Sequence, residues 1–194
     1  QQPIELVLAL DDSDASRQLE ALLQEIAALS PKITLRAEPD PRTPSFAIRR
    51  VGAPAVGVRF AGVPLGHEFT SLVLALLQVG GHPPKVDAVL LERVRALSGP
   101  RRIETYYSLS CQNCPDVVQA LNLLAIVHPE IEHVAIDGAL FRAEAEARDV
   151  MAVPAVFVDG QLLFAGRKDL TEILDLLDGG AQASATSAAT ERAP

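Results

Sequence analysis

The sequence predicts an α/β chain made of two copies of one unit, each a mixed sheet with flanking helices, on three observations. The only two cysteines, Cys111 and Cys114, form a C-x-x-C between a strand-like run and an apolar helix. Pro154 stands directly before another strand-like run. A helix, turn and strand of similar sequence recur in both halves of the chain.

The C-x-x-C half is the more informative. Residues 103–109, Ile-Glu-Thr-Tyr-Tyr-Ser-Leu, are rich in β-branched and aromatic residues and read as a strand. Pro115 suits a first helical turn, and Val117, Val118, Leu121, Leu123 and Leu124 supply an apolar helix. The dithiol therefore sits at a helix N-terminus, where unpaired N–H groups and the helix dipole stabilise a thiolate. Residues 130–136 and 154–158 read as further strands, and 139–149 as a short helix with its charged residues toward water. Asp159-Gly160 turns a hairpin into 162–165, and 169–177 form a closing helix.

The other half repeats this order. Residues 19–33 resemble 117–131, and their prolines, Pro31 and Pro129, set an offset of 129 − 31 = 98. That offset places Ser13 and Ser16 where the second half has Cys111 and Cys114. A hydroxyl cannot form a disulfide, so the first unit is redox-dead. Residues 51–58, with Pro54, match 151–158 at an offset of 100, Gly66 pairs with Gly166, and the helix 69–77 pairs with 170–177. The expected organisation is a unit at 1–84, a connector at 85–98 with a helix over 86–97, the C-x-x-C unit at 99–180, and a linker or tail at 181–194, where Ala, Ser and Thr dominate.

Composition narrows the function. A net charge of −8 and pI near 5.0 exclude a nucleic-acid partner, whose phosphates need a basic face. The mean hydropathy is +0.20, and no apolar run suits a membrane helix, which needs roughly 18 residues. Two cysteines in 194 residues are no secreted disulfide framework, so a cytoplasmic compartment is expected. No signal peptide is visible, and an opening on Gln1-Gln2-Pro3 without Met points to a segment removed upstream. A structural zinc site needs four ligands; the two thiols lack a second pair, and the four histidines include no H-x-x-x-H, so no metal is expected. No G-x-G-x-x-G occurs, so the chain needs an external or attached electron donor.

A C-x-x-C at a helix start, followed by a strand-leading proline, resembles the thioredoxin-like and glutaredoxin-like folds, in which that proline is usually cis and faces the dithiol. The stretches 104–122, around Cys111-Gln112-Asn113-Cys114-Pro115, and 62–77, Gly-Val-Pro-Leu-Gly-His-Glu-Phe and onward, resemble the flavoprotein component of bacterial alkyl hydroperoxide reductases, the AhpF family. The resemblance covers nearly the whole chain. It implies a tandem thioredoxin-like pair with one active C-x-x-C, fed by a thioredoxin-reductase-like module that holds FAD and uses NADH. The dithiol would then reduce a peroxiredoxin partner, AhpC, so no cofactor beyond the redox disulfide is expected here. Gln112 departs from the family, which usually carries His there; a neutral amide cannot supply the charge of a protonated imidazole.

In this reading Cys111 is the nucleophile, Cys114 resolves the mixed disulfide, and Pro154 shapes a backbone edge beside the sulfurs. Glu68, in the Gly-His-Glu-Phe stretch of the redox-dead unit, is a candidate proton acceptor for Cys114 or a charge that raises a thiol pKa; a helix-start acid is the plainer alternative. His67 reads as a surface or capping residue. A free-standing tandem-thioredoxin protein disulfide oxidoreductase is the rival function, and a purely structural Cys111–Cys114 bond a lesser one.

Overall fold

A computed structural model describes residues 1–52 and 57–179. The first half contributes β1 (Ile4–Ala9), α1 (Asp14–Ala28), β2 (Ile33–Ala37), β3 (Ser45–Arg50), β4 (Val58–Ala61), a 3-10 turn (Gly66–Glu68) and α2 (Phe69–Val79). A connecting helix, α3 (Ala88–Ala96), leads to β5 (Arg101–Tyr107), α4 (Cys114–Val127), β6 (Ile131–Asp137), α5 (Arg142–Ala147), β7 (Ala155–Val158), β8 (Gln161–Ala165) and α6, residues 170–179. No helix among the described residues is long and apolar enough to cross a membrane.

Local chemistry sets these boundaries. Ser13 caps α1 by accepting from the Ser16 amide at 3.1 Å, and Asp87 caps α3 through the Val89 amide at 2.7 Å. Asp169 and Glu172 each accept from the other's amide at 2.9 Å, a reciprocal cap that starts α6. Asp159 and Gly160 both have positive φ, 49° and 83°, which closes the β7–β8 hairpin as its sequence predicts.

Both units follow one plan. β1 runs parallel to β2 and antiparallel to β3, which pairs antiparallel with β4; β5, β6, β7 and β8 repeat those relations. The sheets of the two units join. β4 runs parallel to β6, with Val58 opposite His133 and Ala61 opposite Ile136, giving one eight-stranded sheet in the order β2-β1-β3-β4-β6-β5-β7-β8. Gly57 permits the approach: a Cβ there would lie 2.5 Å from the Ile131 carbonyl. One hydrophobic core spans the junction, from Leu19, Phe46 and Leu72 to Ile103, Leu121 and Ile173.

The topology corrects the repeat at one place. The strand equivalent to β7 is β3, so the proline equivalent to Pro154 is Pro44, and both follow cis peptide bonds. The matched string around Pro54 falls instead in the β3–β4 connection, and residues 53–56 lie outside the described residues. The two units distribute their insertions differently. α5 lengthens the connection before Pro154, whereas the first unit lengthens the turn after β3. α5 is also shorter than the expected helix over 139–149, and Glu144 on it does not face water alone. It pairs with Arg42 at 2.7 Å and accepts from the Tyr106 hydroxyl.

His133 shows how tightly the joined sheet is packed. It is fully buried, with Nε2 2.8 Å from the Thr105 hydroxyl and Nδ1 2.8 Å from the Asn122 side-chain oxygen. Burial lowers its pKa from 6.5 to about 3. The unfolded chain therefore takes up this proton first as pH falls, and stability is lost below the unfolded value at about 1.4 kcal/mol per pH unit. Urea unfolding at pH 7 and pH 5 should show a loss of about 2 kcal/mol from this group. His133→Gln, which cannot titrate, should lack it; equal losses in both proteins would reject the assignment.

Candidate active site

Cys111 and Cys114 close the turn between β5 and α4 and are joined by a disulfide, their Cα atoms 5.5 Å apart. The turn is held by the Cys111 amide, which donates to the Ser108 carbonyl at 3.0 Å. Cys111 is half-buried, and Cys114, the first residue of α4, is fully buried. Pro115 occupies the first turn, where no intrahelical N–H partner is lost. A thiolate on Cys111 would face the unpartnered amides of that turn.

Pro154 reaches the site through its neighbour. The Val153 carbonyl oxygen lies 3.9 Å from Cys111 Sγ, within reach of a thiol proton once the disulfide is open. Val153 was not singled out by the sequence, although any residue before a strand-leading proline is constrained by it. Ser108 and Ser110 pair with each other at 3.2 Å, and Thr105 is engaged by His133.

The redox-dead unit supplies the floor. Gly66, at φ 56°, sits so close to Leu109 that a Cβ would lie 2.6 Å from its carbonyl, and the His67 amide donates to the same oxygen at 3.1 Å. The turn bearing Glu68 is thereby seated on the segment two residues before Cys111, and it packs against α4. Glu68 is fully buried, and neither carboxyl oxygen has a hydrogen-bond partner. Burial raises its pKa to about 7. Tyr107 is a second buried group here that the sequence left unnoticed. Its hydroxyl is unpartnered, and its pKa is pushed well up by burial and by the charges of Asp137 and Glu68. Its burial follows from β5 being covered on both faces, which the aromatic run alone could not reveal.

At the equivalent end of the first unit, hydroxyls stand in for thiols. Asp11 accepts from the Ser13 amide at 3.0 Å, from the Ser16 hydroxyl at 2.6 Å, from the Ser13 hydroxyl, and from Thr43, the residue before cis-Pro44, at 3.0 Å. These donors, Ser13 foremost, hold its carboxyl well below the usual range. The vestigial site is a helix cap. Among the described residues no group of three or more His, Cys, Asp or Glu could hold a metal ion.

Comparison with known proteins agrees with this geometry. The thioredoxin domain family matches residues 101–178. The F subunit of the Pseudomonas aeruginosa alkyl hydroperoxide reductase is 57% identical over 192 residues, and its Escherichia coli counterpart 53% over 192 residues. Each alignment covers 98% of this chain but 37% of the relative, so the chain spans just over a third of the length of these curated relatives. A protein disulfide oxidoreductase from Aeropyrum pernix, at 24% identity and TM-score 0.79 over 94% of this chain and 87% of its own, shares the tandem fold. The solved NTD_N/C domain of the alkylhydroperoxide reductase AhpF from Enterococcus faecalis superposes with a TM-score of 0.83 at 34% identity, over 91% of both chains. At that identity and coverage, this chain belongs to the AhpF family of alkyl hydroperoxide reductases, in the part that the solved N-terminal domain represents.

Proposed function

We propose that the chain is the thiol–disulfide relay between a flavoprotein electron donor and a peroxiredoxin of the AhpC type in peroxide detoxification. The observation that carries this reading is the Cys111–Cys114 disulfide at the start of α4, beside the Val153 carbonyl, in a chain of this family. A donor dithiol on a thioredoxin-reductase-like module reduces the disulfide, passing two electrons and two protons and becoming oxidised itself. The Cys111 thiolate then attacks one sulfur of the peroxiredoxin disulfide, giving a mixed disulfide and releasing one peroxiredoxin thiol. Cys114 attacks Cys111 Sγ, releases the second thiol and restores the Cys111–Cys114 bond.

The donor's FAD and NADH are assigned to a module outside this chain. The β1–α1 turn, Leu10-Asp11-Asp12-Ser13, and the β5–α4 turn, residues 108–113, contain no glycine and cannot cradle a pyrophosphate. We read 1–84 and 99–180 as the two units, 85–98 as their connector, and 181–194, which lies outside the described residues, as a linker or tail. The expected compartment is the cytoplasm, where NADH is supplied.

The test is stopped-flow mixing of pre-reduced protein with oxidised peroxiredoxin from the same source. Fast transfer is expected; slow transfer alongside fast reduction of insulin would instead favour a general disulfide oxidoreductase. Glu68, with a pKa of about 7, is assigned as proton acceptor for Cys114. It is ionised and competent above that value, so resolution should accelerate as pH rises through 7. In Glu68→Gln the resolution step should slow by about tenfold and lose that inflection. An unchanged pH profile would leave Glu68 a structural residue.

A further inference from the structure

The redox-dead unit has no thiol chemistry of its own, yet its last helix has a surface unlike that of α1. Across residues 69–84 there is no Asp, Glu, Lys or Arg. α2 buries Leu72, Ala75 and Val79 in the core, but Phe69, Val73 and Leu77, spaced four residues apart on one face, are 41%, 39% and 44% exposed. α1 instead presents Arg17, Glu20, Gln24 and Glu25 to water. In a chain of net charge −8, an exposed helix face without charge has the character of an interface.

That face borders a groove. α2 packs along α4, with the Gln119 amide within 3.4 Å of the Thr70 hydroxyl and 3.3 Å of the Ser71 hydroxyl. Together with residues 82–86 and 167–170 the two helices enclose a groove of about 740 Å³ whose apolar lining includes Leu74, Leu77, Ala120, Leu123 and Leu170. Its lining includes Asp116, two residues after Cys114 and bound to Arg167 at 2.6 Å. Lys85 and Lys168 also line it. Lys168 reaches Glu172 only at 4.0 Å, and Lys85 takes part in no ion pair among the described residues. Two acids share the lining, Asp116, paired with Arg167, and Asp169, which accepts from the Glu172 amide and keeps its charge. With Lys85, Arg167 and Lys168 set against Asp116 and Asp169, the groove offers an apolar floor and a small excess of positive charge on an otherwise acidic molecule.

We propose that α2 and α4 form the docking groove for the separate protein whose disulfide the dithiol reduces, and that this partner seats an amphipathic segment there, apolar on one side and flanked by carboxylates. Two parallel ridges of apolar side chains suit a third helix laid between them. Lys85 and Lys168 select for an acidic flank and raise the encounter rate. A separate protein fits better than an attached module. A tether already holds a module at high effective concentration, whereas a freely diffusing substrate needs affinity near the reacting sulfur. The redox-dead unit thus contributes substrate recognition to the neighbouring unit's chemistry. The inference rests on the relay reading above.

The test measures second-order transfer from the reduced full-length protein to oxidised peroxiredoxin, and in parallel to the small disulfide 5,5′-dithiobis(2-nitrobenzoate). Leu77→Glu should slow the protein reaction about tenfold and leave the small disulfide within about twofold. Lys85→Glu should slow it about threefold at low salt and converge with the unsubstituted protein at high salt. Peroxiredoxin transfer unchanged in both variants overturns the groove while leaving the relay intact. Slow peroxiredoxin transfer by the unsubstituted protein overturns the relay reading itself, and the groove's assignment with it. If Leu77→Glu fails to fold, Lys85→Glu decides, because that side chain lies on the groove's rim rather than in the core.

Discussion

Cys111→Ser is expected to abolish disulfide transfer, by on the order of a thousandfold or more, whereas Cys114→Ser should complete the first step and stop there. The asymmetry follows from placement. Cys111 is half-buried at the mouth of the turn, where a partner's sulfur can approach along the Val153 edge, while Cys114 has no exposed surface. Only Cys111 can make the first attack, and only a second thiol held against it can release the adduct. In Cys114→Ser a hydroxyl, which does not displace a thiolate, replaces that thiol. The variant should therefore accumulate a covalent adduct with the peroxiredoxin, visible by intact-mass spectrometry and dissolved by dithiothreitol. Neither substitution should cost much stability, because a disulfide spanning a sequence separation of 3 closes too short a loop to restrict the unfolded chain strongly. An adduct trapped by Cys111→Ser instead would reverse the two roles.

The parts of this molecule that were legible in its sequence are those written in contiguous residues. β5, the Cys111–Cys114 turn, the Pro115 start of α4, and the Asp159–Gly160 hairpin each declare themselves within a few positions. What was not legible depends on strand pairing. The string around Pro54 resembles that around Pro154 more closely than the string around Pro44 does, yet β3, after Pro44, takes the place of β7. Local likeness cannot see register. Nor could it see the junction of the two units, because β4 meets β6 across more than seventy positions (133 − 58 = 75 at Val58 and His133). Glu68 occupies an intermediate place. Its sequence context marked it, but its burial without partners arises only when the Gly66 turn lands on Leu109.

Arg42→Met is expected to destabilise the protein by about 2–3 kcal/mol, the largest stability loss anticipated outside the hydrophobic core. Arg42 comes from the first unit and reaches Glu104 on β5 at 2.6 Å and Glu144 on α5 at 2.7 Å. Glu104 also receives Arg148 at 2.7 Å, and Arg148 lies 5.1 Å from the centre of the Phe157 ring. The side chain of Glu104 is 4% exposed and that of Arg42 13%, so these charges have given up most of their hydration. Burial alone would raise the Glu104 pKa; Arg42 and Arg148 more than reverse that and hold it low. Burial would likewise lower the Arg42 guanidinium, and Glu144 and Glu104 raise it instead. Removing Arg42 takes the nearest donor from one oxygen of Glu104, leaving it Arg148 at 2.7 Å and Arg102 at 3.5 Å, and takes from Glu144 its cation, so two carboxylates lose a charged hydrogen-bond partner at once. A double-mutant cycle of Arg42→Met with Glu104→Gln by urea unfolding separates the two. The double variant should lose less than the sum of the two single losses, because each single variant already breaks their shared contact, and additive losses would show that the residues do not act as a pair. The acid limb supplies a second check. A carboxylate with a lowered folded pKa contributes stability above its unfolded value near 4.5 and loses it as pH falls, so Glu104→Gln should flatten that limb. Because Arg42 links the two units through this cluster, its loss should also lower hydrogen-exchange protection along β4 and β6 more than along β1.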